Sequence, residues 1–168
     1  HSLFLCAGLA AQSLFAIYQQ KERQRAESLR RSIYSEVFHA ATNGKIVLCS
    51  PAEIANEWPA LDGGVQIEQD QDVAVVRDRV RAEADAAGVA PDRAWDFTLC
   101  ASEAATNALR HGNGGAAAVE TRDGVVRLRI VDRGRGIPLE ELPDATLRPG
   151  WSKGAVPSMG HGVSLMYQ

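Results

Sequence analysis

Residues 103–111 read Glu-Ala-Ala-Thr-Asn-Ala-Leu-Arg-His. Glu103, Asn107 and His111 stand four apart, so on a helix they share one face. An asparagine inside a helix needs a reason, because its amide competes for backbone hydrogen bonds and favours caps and turns. Here a carboxylate precedes it by one turn. Magnesium takes hard oxygen ligands and keeps several waters, a demand that one amide oxygen and substrate phosphates together meet. A carboxylate alongside can polarise an attacking hydroxyl. Taken alone, the stretch reads more simply as a solvated helix face that ends on a histidine.

The flanking sequence supplies the helix and its surroundings. Pro91-Asp92 opens a helix that runs through Trp95, Leu99 and Leu109 to Gly112. Before it, Val65 to Glu68 alternates as a short strand, and Asp70 or Asp72 can cap a helix whose apolar face is Val73, Val76, Val80 and Ala84, up to Gly88. After it, Gly114-Gly115 makes a turn. Ala117 to Thr121 and Val125 to Val131 then read as antiparallel strands around Asp123-Gly124, a hairpin signal. Val126, Leu128 and Ile130 alternate with Arg127 and Arg129, one face buried and one wet. Residues 132–162 are rich in Gly and Pro without clear periodicity, and a loop of that length in a small domain is usually functional or a lid. Strand, helix, helix, strand, strand, long loop, helix predicts an α+β sandwich with its helices on one face.

Two further clusters carry chemistry. Asp132-Arg-Gly134-Arg-Gly136-Ile137-Pro138 follows a strand. A carboxylate at a strand end can accept a hydrogen bond from a ligand amino group, and glycines let the backbone approach a flat ligand closely. The same residues also make a plain strand-exit turn. Ser158-Met159-Gly160-His161-Gly162 precedes Val163 to Tyr167. A glycine-rich loop entering a helix offers free N–H groups and a positive dipole end to phosphate, with Lys153 and Arg148 nearby as added charge. An ordinary helix start with flexible glycines would look the same, and neither a Walker A pattern nor a GxGxxG is present.

Order and spacing say more than any one cluster. EAATNALRH, then DRGRGI, then GHG resembles the N-box, G1-box and G2-box of the GHKL ATPase superfamily. Within it, SEAATNALRHG looks most like the anti-sigma-factor serine kinases. The stretch from Ala145 through Gly150, Trp151 and Ser152 to Gly162 resembles the lid of the stress-switch kinases that phosphorylate STAS-domain proteins. The resemblance covers roughly Val65 to Gln168.

It implies a Bergerat fold, a two-layer α+β sandwich with ATP held between helical layer and lid. It would make Asn107 the Mg²⁺ ligand, Glu103 the general base and Asp132 the adenine contact. Gly134 and Gly136 would shape the adenine pocket, with Ile137 beside them. Gly160 and Gly162 would wrap the phosphates, with Lys153, His161 and His111 counted among the nucleotide-contacting residues. The activity implied is an ATP-dependent serine/threonine kinase of a bacterial partner-switching system, acting on a STAS-type antagonist and so on a sigma factor or similar output. The family fold normally continues past the last helix with further strands, so the sheet is expected to be incomplete here or closed by another chain.

The rest of the chain is read by composition. The 168 residues hold 18 Lys and Arg against 21 Asp and Glu, a net charge of −3. That balance argues against a nucleic-acid binder led by phosphate neutralisation. Cys6, Cys49 and Cys100 are odd in number and form no CxxC pair, which speaks for a reducing cytoplasm and against a zinc ribbon. His1 in place of Met suggests a fragment or tag residues. Leu3 to Tyr18 is apolar but short for a bilayer span of about 20 residues. The basic flank from Lys21 to Arg31 would sit on the cytoplasmic side if it were the end of one, anchoring the kinase domain at the membrane. A packing or dimerisation helix is the favoured reading. Ala26, Leu29, Ile33, Val37 and Ala40 form one apolar stripe up to Asn43-Gly44, which suits a paired connector and a homodimer. Lys45 to Cys49 reads as a short strand and Pro51 to Trp58 as a helix capped by Ser50, with the domain boundary at Asp62-Gly63-Gly64. Residues 1–60 are thus a helical extension and 62–168 the kinase domain. His39, in that extension, raises a sensor histidine kinase as the second reading, although nothing around it matches a phosphoacceptor box. A non-catalytic nucleotide-binding regulator is the third.

Overall fold

The computed structural model describes residues 2–50, 52–54 and 63–148, with side chains from residue 12 onward. They form helix α1 (Ser2–Ala41), strand β1 (Val65–Ile67), helices α2 (Asp70–Ala86) and α3 (Pro91–His111), strands β2 (Gly115–Arg122) and β3 (Val125–Asp132), and short helix α4 (Leu142–Leu147). The chain divides into two compact units, 1–48 and 49–168, with the split ahead of the Gly63-Gly64 break. Among the described residues no helix is long and apolar enough to cross a membrane.

In the first unit one helix runs without interruption through both the apolar segment and the charged one. Asn43 and Gly44 end it at φ of 52° and 77°. Tyr34 and Phe38 bring their rings to 6.5 Å, and Phe38 is fully buried. The strand expected at Lys45 to Cys49 is not formed. Its β-branched residues find no ladder, and the Ile46 N–H that pairing would need donates to the Thr42 hydroxyl at 3.0 Å.

The second unit opens on a capping box. The Ser50 N–H donates to Glu53 Oε2 at 2.7 Å and the Glu53 N–H donates to Ser50 Oγ at 3.3 Å. Residues 52–54 are helical, and the remainder of that expected helix lies outside the described residues. The sheet has the order β1-β2-β3, antiparallel throughout among the described residues. Asp123 and Gly124 join β2 to β3 with φ of 52° and 75°, the two left-handed residues of a tight hairpin turn.

Packing on one sheet face builds the core. Ile67, Val76, Ala105, Ala108 and Ala117 form its buried centre, with Val65, Val73, Leu109, Leu128 and Ile130 against it. Burying Ile67, Val76 and Val80 completely contributes about 1.5–3 kcal/mol each. On α3 the buried side is Ala94, Thr98, Ala101, Ala105 and Ala108, small residues that let the helix approach closely. Trp95 and Leu99, both on this helix, are 63% and 39% exposed. The long irregular stretch after Asp132 also holds a helix the sequence reading lacked, α4, which has Pro143 in its first turn. The result is an α+β fold with an N-terminal helix.

Candidate active site

Glu103 and Asn107 lie on the side of α3 away from Ala101, Ala105 and Ala108, and both are half-buried. Among the described residues no hydrogen bond or ion pair engages the carboxylate of Glu103 or the amide of Asn107. His111, the last residue of α3, is exposed. Cys100 stands one turn before Glu103. Burial pushes its thiol pKa up, and the carboxylates of Asp96 and Glu103 add to the shift.

Asp132 ends β3, level with Gly115 on β2. Counting in twos from Leu128 and Ile130 puts it on the helix-covered face of the sheet. Gly112, which caps α3, gives it room. A Cβ on Gly112 would overlap the Asp132 side chain, reaching 2.7 Å from its Cγ. Gly112 has φ −101° and ψ 8°, open to any residue, so space and not backbone conformation calls for glycine there.

Beyond Asp132 the chain folds back onto the end of α3. The Gly134 N–H donates to Asp132 Oδ1 at 2.8 Å. The Arg133 N–H donates to the carbonyls of Gly112 at 2.8 Å and Gly114 at 3.1 Å. A Cβ on Gly134 would come within 2.9 Å of the Gly112 Cα and 3.0 Å of the His111 carbonyl oxygen. The second cluster is thereby clamped to the C-terminus of the helix that carries the first. Asn107 stands one turn back from His111, about 6 Å along the axis.

Of the other residues named from sequence, Gly136 has φ +70° and Ile137 is 48% exposed, both in the irregular chain after the clamp. Arg148 is exposed at the end of α4. Lys153, Gly160, His161 and Gly162 lie outside the described residues. Sequence reasoning missed Gly112 and Arg133 as parts of the site. The signal was the run Gly112-Asn-Gly114-Gly115, denser in glycine than a helix end needs. A cavity of about 80 Å³ lined by Arg81, Asp85, Pro91, Ala94, Trp95 and Thr98 lies at the opposite end of α3. It is far below the size of a nucleotide pocket and apart from these groups.

Comparison with known families bears on this arrangement. The model of the histidine kinase-like ATPase domain matches residues 67–168. The chain belongs to the histidine kinase-like ATPase family. No curated protein and no solved structure matches it. The match runs from Ile67, the end of β1, to the last residue and takes in all three clusters read from the sequence.

The family implies ATP, usually with Mg²⁺, and the described wall of this ATPase domain fits it. The exposed Asp132 carboxylate is fixed through one oxygen by the Gly134 N–H, which leaves the other free to accept from an amino group. The unengaged Asn107 amide supplies a hard oxygen of the kind Mg²⁺ takes. Among the described residues no three His, Cys, Asp or Glu side chains converge into a metal cage. Magnesium accepts one protein oxygen together with phosphate and water, so Asn107 alone meets the protein's share of such a site.

Proposed function

We propose that this ATPase domain is a serine/threonine protein kinase of a bacterial partner-switching system, working in the cytoplasm on a STAS-type antagonist protein. The observation that carries the reading is the clamp of Asp132 and Gly134 onto the C-terminus of α3, which sets Asp132, the residue we assign to adenine, beside the helix bearing Glu103 and Asn107. Asn107 would hold Mg²⁺, whose chemistry when bound is to neutralise charge on the phosphates. Asp132 would fix the base. Glu103, one turn from Asn107 and free of other partners, would orient the acceptor hydroxyl and take its proton. Phosphoryl transfer asks mostly for such positioning and charge neutralisation. The likeness of SEAATNALRHG to the anti-sigma-factor kinases, and of residues 145–162 to the lid of stress-switch kinases, favours a protein acceptor and a sigma factor as the output.

Incubation of the chain with γ-labelled ATP, Mg²⁺ and a STAS-domain protein tests this. Acid-stable label on serine or threonine of that protein is expected. Acid-labile label on His39 would make the chain a histidine kinase instead. Nucleotide binding with transfer to neither would make it a regulatory module.

A further inference from the structure

We propose that the N-terminal half of α3 is the docking surface for the protein acceptor. It takes an extended segment with a large apolar residue about four places from the accepting hydroxyl and a Lys or Arg between the two. The inference rests on the kinase reading and on the direction in which its groups run along α3. Asp132, assigned to the base, is clamped at the C-terminus of the helix. Asn107, assigned to Mg²⁺, stands one turn back from His111, and Glu103, assigned to the acceptor hydroxyl, about 6 Å further. The order base, phosphate, hydroxyl therefore runs from the C-terminus of α3 toward its N-terminus. The acceptor arrives over the residues that precede Glu103.

Leu99 and Trp95 stand four and eight places before Glu103, about one and two turns back on the same side of the helix. Both are exposed. A single exposed apolar side chain needs no explanation. Two in line with the candidate base, one of them a tryptophan, form the kind of ridge on which partners anchor. Trp95 also lines the cavity of about 80 Å³ that it shares with Arg81, Asp85, Pro91, Ala94 and Thr98. That is roughly half of the ~150 Å³ that takes up a benzene molecule, room for one aliphatic side chain. Eight helical residues set Trp95 about 12 Å from Glu103 along the axis, a distance that an extended chain covers in about four residues. The anchor and the hydroxyl are spaced accordingly.

Charge describes the rest of the segment. Asp92 and Asp96 are exposed on this stretch, with Glu103 beyond them, and Arg93 is the one basic residue in 91–103. Their field is felt at Cys100, where burial raises the thiol pKa and the carboxylates of Asp96 and Glu103 raise it further. An acidic surface with an apolar ridge favours a basic and apolar segment and turns away an acidic one.

The full chain is tested for transfer with a STAS-domain protein and Mg-ATP. Binding alone is tested with two peptides, Ala-Leu-Ala-Lys-Ala-Ser-Ala and its reversed sequence. Trp95→Ala and Leu99→Ala are each expected to raise the KM for the protein more than about tenfold, while kcat and ATP affinity hold. Val75→Ala, also exposed but on α2, is expected to change none of these. Asp96→Lys is expected to raise the KM at low salt and much less at high salt. One of the two peptides is expected to shift the amide resonances of residues 91–99 without nucleotide, and to lose that effect in Trp95→Ala. Transfer with an unchanged KM in both Trp95→Ala and Leu99→Ala would overturn the docking surface and leave the kinase reading standing. Residues 91–99 unmoved by either peptide at millimolar concentration would overturn it as well. Peptide shifts at 91–99 without transfer to any protein would uphold the surface and end the kinase reading.

Discussion

Gly112 is the residue on which the candidate site turns, because its missing side chain is the space that Asp132 occupies. Gly112→Ala keeps an allowed backbone, so its effect falls on the carboxylate it displaces. Overpacking of this kind costs about 1–3 kcal/mol. We expect a urea midpoint lowered accordingly and nucleotide affinity down by more than about tenfold, equivalent to 1.4 kcal/mol. A folded Gly112→Ala chain with wild-type affinity, measured by calorimetry, would detach Asp132 from nucleotide. Asn107 and Glu103 share a helix face but have different duties, so their variants should separate. Asn107→Ala is expected to lose Mg²⁺-dependent ATP binding. Glu103→Ala is expected to bind ATP normally and transfer phosphate about 10²–10⁴-fold more slowly, the usual worth of a general base. Equal loss of binding in both would make Glu103 a structural residue.

At the scale of the element, α2 shows how local chemistry fixes a boundary. The Asp72 carboxylate reaches back to accept the N–H of Glu68 at 2.9 Å and of Gln69 at 3.0 Å, and it adds negative charge to the first turn. Asp72→Ala should cost about 1 kcal/mol, as cap removals do, while Asp70→Ala, for which no such bond is formed, should cost less. Chemical denaturation of the two variants compares them directly. Features of this local type were legible in the sequence. Asp123-Gly124 announced the hairpin, Pro91 and Gly112 bracketed α3, and Ser50 signalled its helix start. Features that depend on a neighbour were not. Lys45 to Cys49 has strand composition, but no ladder forms there, and Thr42 takes an N–H that pairing would have used. Trp95 and Leu99 are larger apolar side chains than alanine, yet close packing selected the alanines. Six-residue α4 is too short to show a period. In the site, glycine density at 112–115 was visible. Which glycine faces Asp132 depends on where β3 ends against α3, and no local pattern encodes that.

For the whole molecule, the two units differ in what holds them together. Residues 49–168 carry their own core of Ile67, Val76, Ala105, Ala108 and Ala117, drawn from two strands and two helices, with Leu128 and Ile130 of β3 packed against it. In residues 1–48 the side chains from 12 to 33 are all exposed, so the middle of α1 rests on helix propensity and on whatever pairs with its stripe. Propensity alone leaves an isolated helix marginal in water. If a second copy supplies the rest, α1 obeys mass action and the ATPase domain does not. Hydrogen exchange at two widely separated protein concentrations reads this segment by segment. Amides of residues 12–41 should exchange more slowly at the higher concentration. Those of α2 and α3, residues 70–86 and 91–111, should exchange at the same rate at both, and ATP with Mg²⁺ should slow them further without acting on residues 12–33. Protection of α1 that ignored concentration, while light scattering reported a single-chain mass, would mean that the helix is held by its own chain.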